Sequence, residues 1–160
     1  AGIADAVADR LAEIDPDHAA DYAANAERLR ADLTELDQEF DSGLKSCERS
    51  EFITNHAAFG YLARKYGLTQ IAISGLTPDT EPSPARIAAI HSEAREHKIT
   101  TIFYETLVSP AVAEAVAGDL GLKTDVLDPI EGITPDSRGK DYLEVMRANL
   151  TALRTANGCQ

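Results

Sequence analysis

The sequence lacks any run of about 18 or more apolar residues, so no membrane-spanning helix is predicted. It is also poor in basic residues, with 15 Lys and Arg against 27 Asp and Glu, which gives a net charge of −12. A nucleic-acid partner is therefore not expected, because phosphate binding needs clustered positive charge. The glycines of the predicted loops, Gly75, Gly132 and Gly139, are isolated. They form no Gly-rich phosphate loop, and nucleotide binding has little support.

Cysteine is scarce as well, since Cys47 and Cys159 are the only two and neither belongs to a CxxC pair. An even pair far apart in the chain suits one disulfide in an oxidising compartment. Two free buried thiols are the alternative, and the spacing alone does not decide between them.

Two amphipathic helices are predicted first. In residues 1–14 one apolar stripe recurs at helical spacing: Ile3, Val7, Leu11 and Ile14. Asp15 and Pro16 then end this helix and favour the start of another. The second helix is long, because a seam steps by threes and fours through Tyr22, Ala26, Leu29, Leu33, Leu36, Phe40 and Leu44. We expect residues 1–45 to form these two helices and residues 46–160 to form a separate α/β lobe.

Strand and helix patterns alternate after residue 50. The predicted strands are Glu51–Thr54, Gln70–Ile73, Thr100–Tyr104 and Lys123–Leu127. The predicted helices are His56–Tyr66, Pro84–His97, Pro110–Leu120 and Asp141–Thr155. Strict alternation predicts an α/β fold with a four-stranded parallel sheet flanked by helices, here preceded by a long helix.

Candidate functional residues follow these strands directly. His56 follows the first strand, Glu105 the third, and Asp128 and Glu131 the fourth. The carboxyl ends of parallel strands meet at one edge of a sheet, where ligands bind in open α/β folds. One imidazole with carboxylates is a partial set of ligands for Zn²⁺. Glu81, in a proline-rich loop after the second strand, is interpreted as a loop residue.

Four segments together resemble one family. They are Phe52-Ile53-Thr54-Asn55-His56-Ala57-Ala58-Phe59-Gly60-Tyr61-Leu62, the loop from Ile73 to Pro84, Ile102-Phe103-Tyr104-Glu105 and Leu127-Asp128-Pro129-Ile130-Glu131-Gly132. In order and spacing they resemble the zinc-binding branch of the metal-specific solute-binding proteins of ABC transporters. The likeness runs over essentially the whole chain and is to the C-terminal lobe of a two-lobed protein.

The resemblance implies a binder and not an enzyme. It implies an extracytoplasmic location, as a periplasmic protein or a lipoprotein, and delivery of zinc to the permease of an ABC transporter. The N-terminal lobe would be the missing partner, because in the family that lobe and the connection that follows it supply two further histidines. The long helix would join the two lobes.

The resemblance also assigns roles to single residues. His56 matches the family's imidazole ligand, and a histidine there instead of a carboxylate favours zinc over manganese. Asp128 matches the family's ligating aspartate, with Glu131 or water as alternatives. Asp128 could instead hold the turn through hydrogen bonds to its backbone. Glu105 is either a carboxylate that accepts the other ring proton of His56 or a residue that favours the start of the next helix. Similar cysteines in the family tie the last helix to the domain, which favours a disulfide between Cys47 and Cys159.

Three alternatives stay open. The first is a metallohydrolase-like domain, in which His56, Asp128 and a third residue of the edge would leave a position for water. The second is a manganese-type solute-binding protein. The third is an interaction domain that pairs through the apolar seam of its first two helices, either with a partner chain or with the missing lobe.

Overall fold

The computed structural model describes residues 2–77 and 81–160, and these form two compact units that divide between Glu39 and Phe40. The helices are α1 (Gly2–Ile14), a short 3-10 helix (Pro16–His18), α2 (Ala19–Gly43), α3 (Gly60–Lys65), α4 (Pro84–Glu96), α5 (Ala111–Leu120) and α6 (Tyr142–Asn157). The strands are β1 (Glu51–Thr54), β2 (Thr69–Ala72), β3 (Thr101–Tyr104) and β4 (Lys123–Val126). Within the described residues, no helix combines the length and apolar character needed to cross a membrane.

The first unit contains α1, the 3-10 helix and most of α2. The predicted stripe of α1 is exposed, from 39% at Leu11 to 83% at Ile3. Asp15 does not cap the following helix through its side chain. Its carboxylate instead accepts hydrogen bonds from His18 Nδ1 at 2.9 Å and from Tyr22 Oη at 2.8 Å. These two bonds lower the pKa of Asp15, because they favour its charged form.

The second unit contains the predicted sheet. Its four strands run parallel in the order β2-β1-β3-β4. This confirms the α/β fold with a four-stranded parallel sheet flanked by helices. In this order β1 and β3 are central, so the residues that follow them emerge from the middle of the sheet.

Strand residues pack alternately on the two faces of this sheet. Ile53 of β1 and Ile102 of β3 are fully buried in a core shared with α4 and α5. Phe52 and Phe103 point to the opposite face, where their rings meet edge to face with centroids 6.4 Å apart. Helix α6 contacts β1 and β4. Burial of both faces accounts for the nearly continuous apolar character of the central strands.

The largest difference from the predicted elements lies directly after β1. A helix was expected from His56, but α3 begins only at Gly60. The carbonyl of His56 accepts hydrogen bonds from Thr54 Oγ1 and Gln70 Nε2, and Ala57 N donates to the carbonyl of Gly75. These backbone groups have partners outside a helix, so the segment is a fixed loop. The other helix and strand boundaries differ from the prediction by one or a few residues.

The two cysteines form a disulfide between Cys47 and Cys159, with their Cα atoms 3.8 Å apart. Backbone hydrogen bonds join the same segments, because Arg49 N donates to Asn157 O at 3.1 Å and Gln160 N donates to Ser46 O at 3.0 Å. The Arg49 guanidinium also donates to the carbonyl of Ala156. The end of α6 is thereby attached to the segment that leads into β1.

Candidate functional site

Three of the predicted site residues are buried at the carboxyl edge of the sheet. His56 is 4% exposed, Glu105 3% and Asp128 4%. Buried ionisable side chains are rare unless they are paired or functional, because water no longer stabilises their charge. Their partners therefore indicate what each side chain can do.

His56 and Glu105 form a buried pair. His56 Nδ1 is in contact with Glu105 Oε1, and neither atom has another hydrogen-bond partner among the described residues. Such a carboxylate fixes the tautomer and the orientation of an imidazole and increases its basicity. With Nδ1 directed at Glu105, Nε2 is the nitrogen left for a ligand.

The loop that carries His56 is held by a side-chain amide from β2. Gln70 Nε2 donates to Thr54 Oγ1 at 2.7 Å and to the carbonyl of His56 at 2.9 Å. Gln70 Oε1 accepts from the backbone N–H of Phe59 at 3.1 Å. The Gln70 side chain thus makes hydrogen bonds to Thr54, His56 and Phe59. These polar groups are half-buried or buried, and leaving them without a partner would be costly.

Asp128 is held by hydrogen bonds at each of its polar atoms. Its carboxylate accepts from Thr106 Oγ1 at 3.0 Å and from the backbone N–H of Ile130 at 2.7 Å. Its main chain is bound by Asn149 of α6, which accepts from Asp128 N at 2.9 Å and donates to Asp128 O at 2.7 Å. These contacts match the alternative role, in which an aspartate holds a turn.

The turn after Asp128 has an unusual backbone. Ile130 has a φ of 64°, in the left-handed region that β-branched residues rarely adopt. The next residue, Glu131, is exposed. Of the two candidate carboxylates, Asp128 is buried and makes local hydrogen bonds, whereas Glu131 is exposed.

Electrostatics connect the carboxylates of this edge. Burial raises the pKa of Glu105 above its ordinary value of 4.5. The neighbouring His56 opposes that rise in pKa, while the negative charges of Glu131 and Asp128 add to it. The edge is an anionic environment around one imidazole, which suits the binding of a cation.

The loop that carries Glu81 does not contribute to the buried group of His56, Glu105 and Asp128. Glu81 is exposed, and residues 78–80 of its loop lie outside the described residues. In residues 2–77 and 81–160, no group of three or more His, Cys, Asp or Glu side chains is placed to hold a metal ion. The structure brings His56, Glu105 and Asp128 to one edge, and the assignment of metal ligands among them stays a prediction.

The sequence prediction missed Gln70, Thr106 and Asn149. Asn149 did give a signal, because it is a polar residue on the side of α6 that also carries Val145 and Leu153, both buried. A polar residue on such a face needs a hydrogen-bond partner. Nothing in the sequence indicated that the partner is Asp128.

The fold and this edge define an α/β domain with one buried imidazole among carboxylates, and comparison with known proteins identifies its family. Residues 1–156 match the family described as ZnuA, the periplasmic component A of the zinc-uptake complex. The chain therefore belongs to this family of solute-binding proteins for zinc uptake.

Individual relatives agree with the family. The chain is 40% identical over 147 residues to the high-affinity zinc uptake system protein ZnuA of Bacillus subtilis, an alignment that covers 91% of this chain and 46% of the relative. It is 41% identical over 150 residues to the zinc-binding lipoprotein AdcA of Streptococcus pneumoniae, covering 92% of this chain and 30% of the relative. The chain thus spans about half or less of the length of these curated relatives.

A solved structure is also similar to this chain. The crystal structure of the laminin-binding protein Lbp of Streptococcus pyogenes superposes with a TM-score of 0.85 at 36% identity. The match covers 94% of this chain and 59% of that one. The similarity therefore extends over nearly the whole chain.

Proposed function

We propose that this chain is the C-terminal lobe of an extracytoplasmic protein that captures zinc with high affinity and delivers it to the permease of an ABC transporter. The family membership supports zinc as the cargo. The periplasmic description of the family and the lipoprotein relative support the location. The chain would be a binding protein and not an enzyme.

The observation that carries the proposal is the His56–Glu105 pair. Zinc binds neutral imidazole nitrogen, and a carboxylate on the second ring nitrogen is the usual support for such a ligand. His56 Nε2 would bind the ion, and Glu105 would hold the ring. His56 is buried at 4% exposure, so the ring would be oriented before the ion arrives.

A carboxylate of the 128–131 turn would be the second ligand from this chain. Asp128 was the first choice from the sequence, and its oxygens retain lone pairs beyond the two hydrogen bonds described above. The exposure of Glu131 and its electrostatic coupling to Glu105 favour Glu131 as the alternative. The remaining ligands would come from an N-terminal lobe, so that the ion is enclosed between two lobes.

A metallohydrolase is the less favoured function. A catalytic zinc site keeps three protein ligands around an open position. In the described part of the chain no three such side chains are grouped to hold a metal. The chain's membership of a solute-binding family also favours binding over catalysis.

Calorimetric titration of zinc tests the proposal. We expect this chain alone to bind one zinc ion with a Kd weaker than about 1 μM, because two ligands do not complete a tetrahedral shell. A longer chain that also carries an N-terminal lobe should bind far more tightly, and His56→Ala should abolish binding in both. The matched control is His97→Ala, since His97 lies at the end of α4 and its Nδ1 is 3.6 Å from Glu51 Oε2. Tight binding by this chain that survives His56→Ala would contradict the proposal.

A further inference from the structure

The amide of Asn149 is the main polar contact between α6 and the candidate site. Asn149 is 2% exposed and belongs to a helix whose buried side chains are mostly apolar. Burial of an amide is unfavourable unless its hydrogen bonds are made. The Asn149 amide makes two hydrogen bonds to one residue, accepting from Asp128 N and donating to Asp128 O, and its Nδ2 also lies 3.9 Å from Met146 Sδ.

This double contact acts at the first residue of the turn that carries both candidate carboxylates. Beyond it, the chain passes through the left-handed Ile130, whose N–H is bound to the Asp128 carboxylate. A residue in a sparsely populated backbone conformation persists only where its surroundings hold it. Asn149, Thr106 and the carboxylate of Asp128 provide those surroundings.

The position of α6 is itself fixed from the other side of the unit. The disulfide between Cys47 and Cys159 attaches the end of α6 to the segment that precedes β1, and β1 leads to His56. The helix therefore connects the strand that carries the imidazole with the turn that carries the carboxylates. Asn149 is the point at which this connection reaches the turn.

We propose that Asn149 is a positioning residue for the metal site, holding the turn from Asp128 to Gly132 where one of its carboxylates faces His56. The inference rests on the proposed zinc function, and it assigns Asn149 no direct contact with the ion. Residues that orient a ligand without touching the metal change affinity by about 10- to 100-fold when they are replaced. An effect of that size is expected for Asn149→Ala.

The control is Asn157→Ala on the same helix. Asn157 is also 2% exposed, but its Nδ2 has no hydrogen-bond partner among the described residues, and it is the last residue of α6. Both variants remove a buried amide from one helix, but only Asn149→Ala removes hydrogen bonds to Asp128. A specific effect on zinc should appear only at Asn149.

Two measurements on this chain test the inference. Hydrogen exchange of the Asp128 amide should become faster in Asn149→Ala, whereas exchange of the Leu127 amide, which donates to Tyr104 O, should not. Zinc titration followed through the NMR signals of the His56 ring should give a Kd about tenfold or more weaker in Asn149→Ala and within about twofold of the original in Asn157→Ala. If Asn149→Ala does not fold, Asn149→Ser takes its place, because a short hydroxyl cannot reach both backbone atoms of Asp128.

The outcomes separate this inference from the proposed function. If the unmodified chain shows no effect of zinc on His56, the proposed function fails, and the inference that rests on it fails as well. If the unmodified chain binds zinc and Asn149→Ala or its Ser replacement binds equally well, only the inference is overturned. Equal losses of affinity in the Asn149 and Asn157 variants would also overturn it.

Discussion

The loop of His56 and the turn of Asp128 lie at the same sheet edge and are held in similar ways. Each is hydrogen-bonded to one side-chain amide on another element, Gln70 on β2 and Asn149 on α6. In the first loop the functional side chain itself is buried against Glu105. In the second, the buried Asp128 holds the turn, while Glu131 two peptide bonds beyond Pro129 is exposed.

In the proposed zinc site, this difference would give two ways of orienting a ligand. The imidazole is fixed through its own ring, so its orientation should not depend on a bound ion. The carboxylate of the turn is directed through the backbone, and an exposed side chain keeps more rotamers. We expect the histidine half of the site to be rigid and the carboxylate half to adjust.

The largest effect should come from the pair Asp128→Ala and Glu131→Ala. Removing the Asp128 carboxylate leaves Thr106 and the Ile130 N–H without their acceptor, so we expect a loss of about 2 to 4 kcal/mol in the free energy of unfolding. Glu131→Ala should change it by no more than about 0.5 kcal/mol, because its side chain is exposed. Urea unfolding measures both.

Zinc titration of Glu131→Ala and of Asp128→Asn identifies the ligand. If only Glu131→Ala loses zinc, Asp128 holds the turn and Glu131 binds the ion. If Asp128→Asn, which keeps an acceptor for the turn, loses zinc while Glu131→Ala retains it, the ligand is Asp128. Equal unfolding free energies for Asp128→Ala and Glu131→Ala would contradict the difference between the two carboxylates.

Gln70→Ala should be next in size. It removes the donor to Thr54 and His56 and the acceptor of Phe59 N–H, and we expect a loss of about 2 kcal/mol in unfolding free energy. Gln70→Glu serves as a comparison, because it keeps the acceptor of the Phe59 N–H but puts a carboxylate oxygen against the carbonyl of His56, so its loss should be at least as large. A Gln70→Ala variant as stable as the original chain would show that the loop does not need this amide.

A smaller effect distinguishes Ile130→Gly from Ile130→Ala. Both remove the side chain, but only alanine keeps the Cβ atom that is strained at a φ of 64°. The glycine variant should therefore be about 1 kcal/mol more stable than the alanine variant. Thermal unfolding of the two proteins measures the difference, and a more stable alanine variant would contradict the backbone strain assigned to this turn.

Glu105→Gln should have the smallest effect on the free energy of unfolding at any one pH. Its main effect should be on how that free energy changes with pH. The pKa of Glu105 is raised in the folded chain, so the folded state binds this proton more tightly than the unfolded state. The contribution of Glu105 to the free energy of unfolding is therefore fully present below the ordinary pKa of 4.5, and it is lost as pH rises through the raised pKa. In Glu105→Gln the free energy of unfolding, measured with urea, should fall less as pH rises. An unchanged dependence on pH would contradict the raised pKa of Glu105.

The sequence predicted the sheet well because alternation of apolar strands and amphipathic helices is a local signal. Gly67 and Gly121 stand at the ends of α3 and α5 and have φ of 69° and 67°, the left-handed conformation in which glycine commonly ends a helix. The start of α3 was predicted wrongly, since Phe59 and Leu62 have helical spacing but the preceding backbone is bound by Gln70. That contact joins residues 11 to 16 positions apart and has no local pattern.

The candidate site was predictable in position but not in its internal contacts. The carboxyl ends of parallel strands share one edge of a sheet, and this rule predicted that His56, Glu105 and Asp128 lie there. The support of Asp128 by Asn149 spans 21 residues and depends on how α6 packs. The resemblance, and not the spacing of the cysteines, favoured the disulfide that the structure contains.

The disulfide also has a consequence for proteolysis. Cys47 and Cys159 are separated by 112 residues, and all four strands and α3 to α6 lie between them. One cut by a protease in any loop of this covalent ring opens the chain without releasing a fragment. An exposed rim loop can therefore be nicked while both pieces stay attached, and only a reducing agent would then separate them.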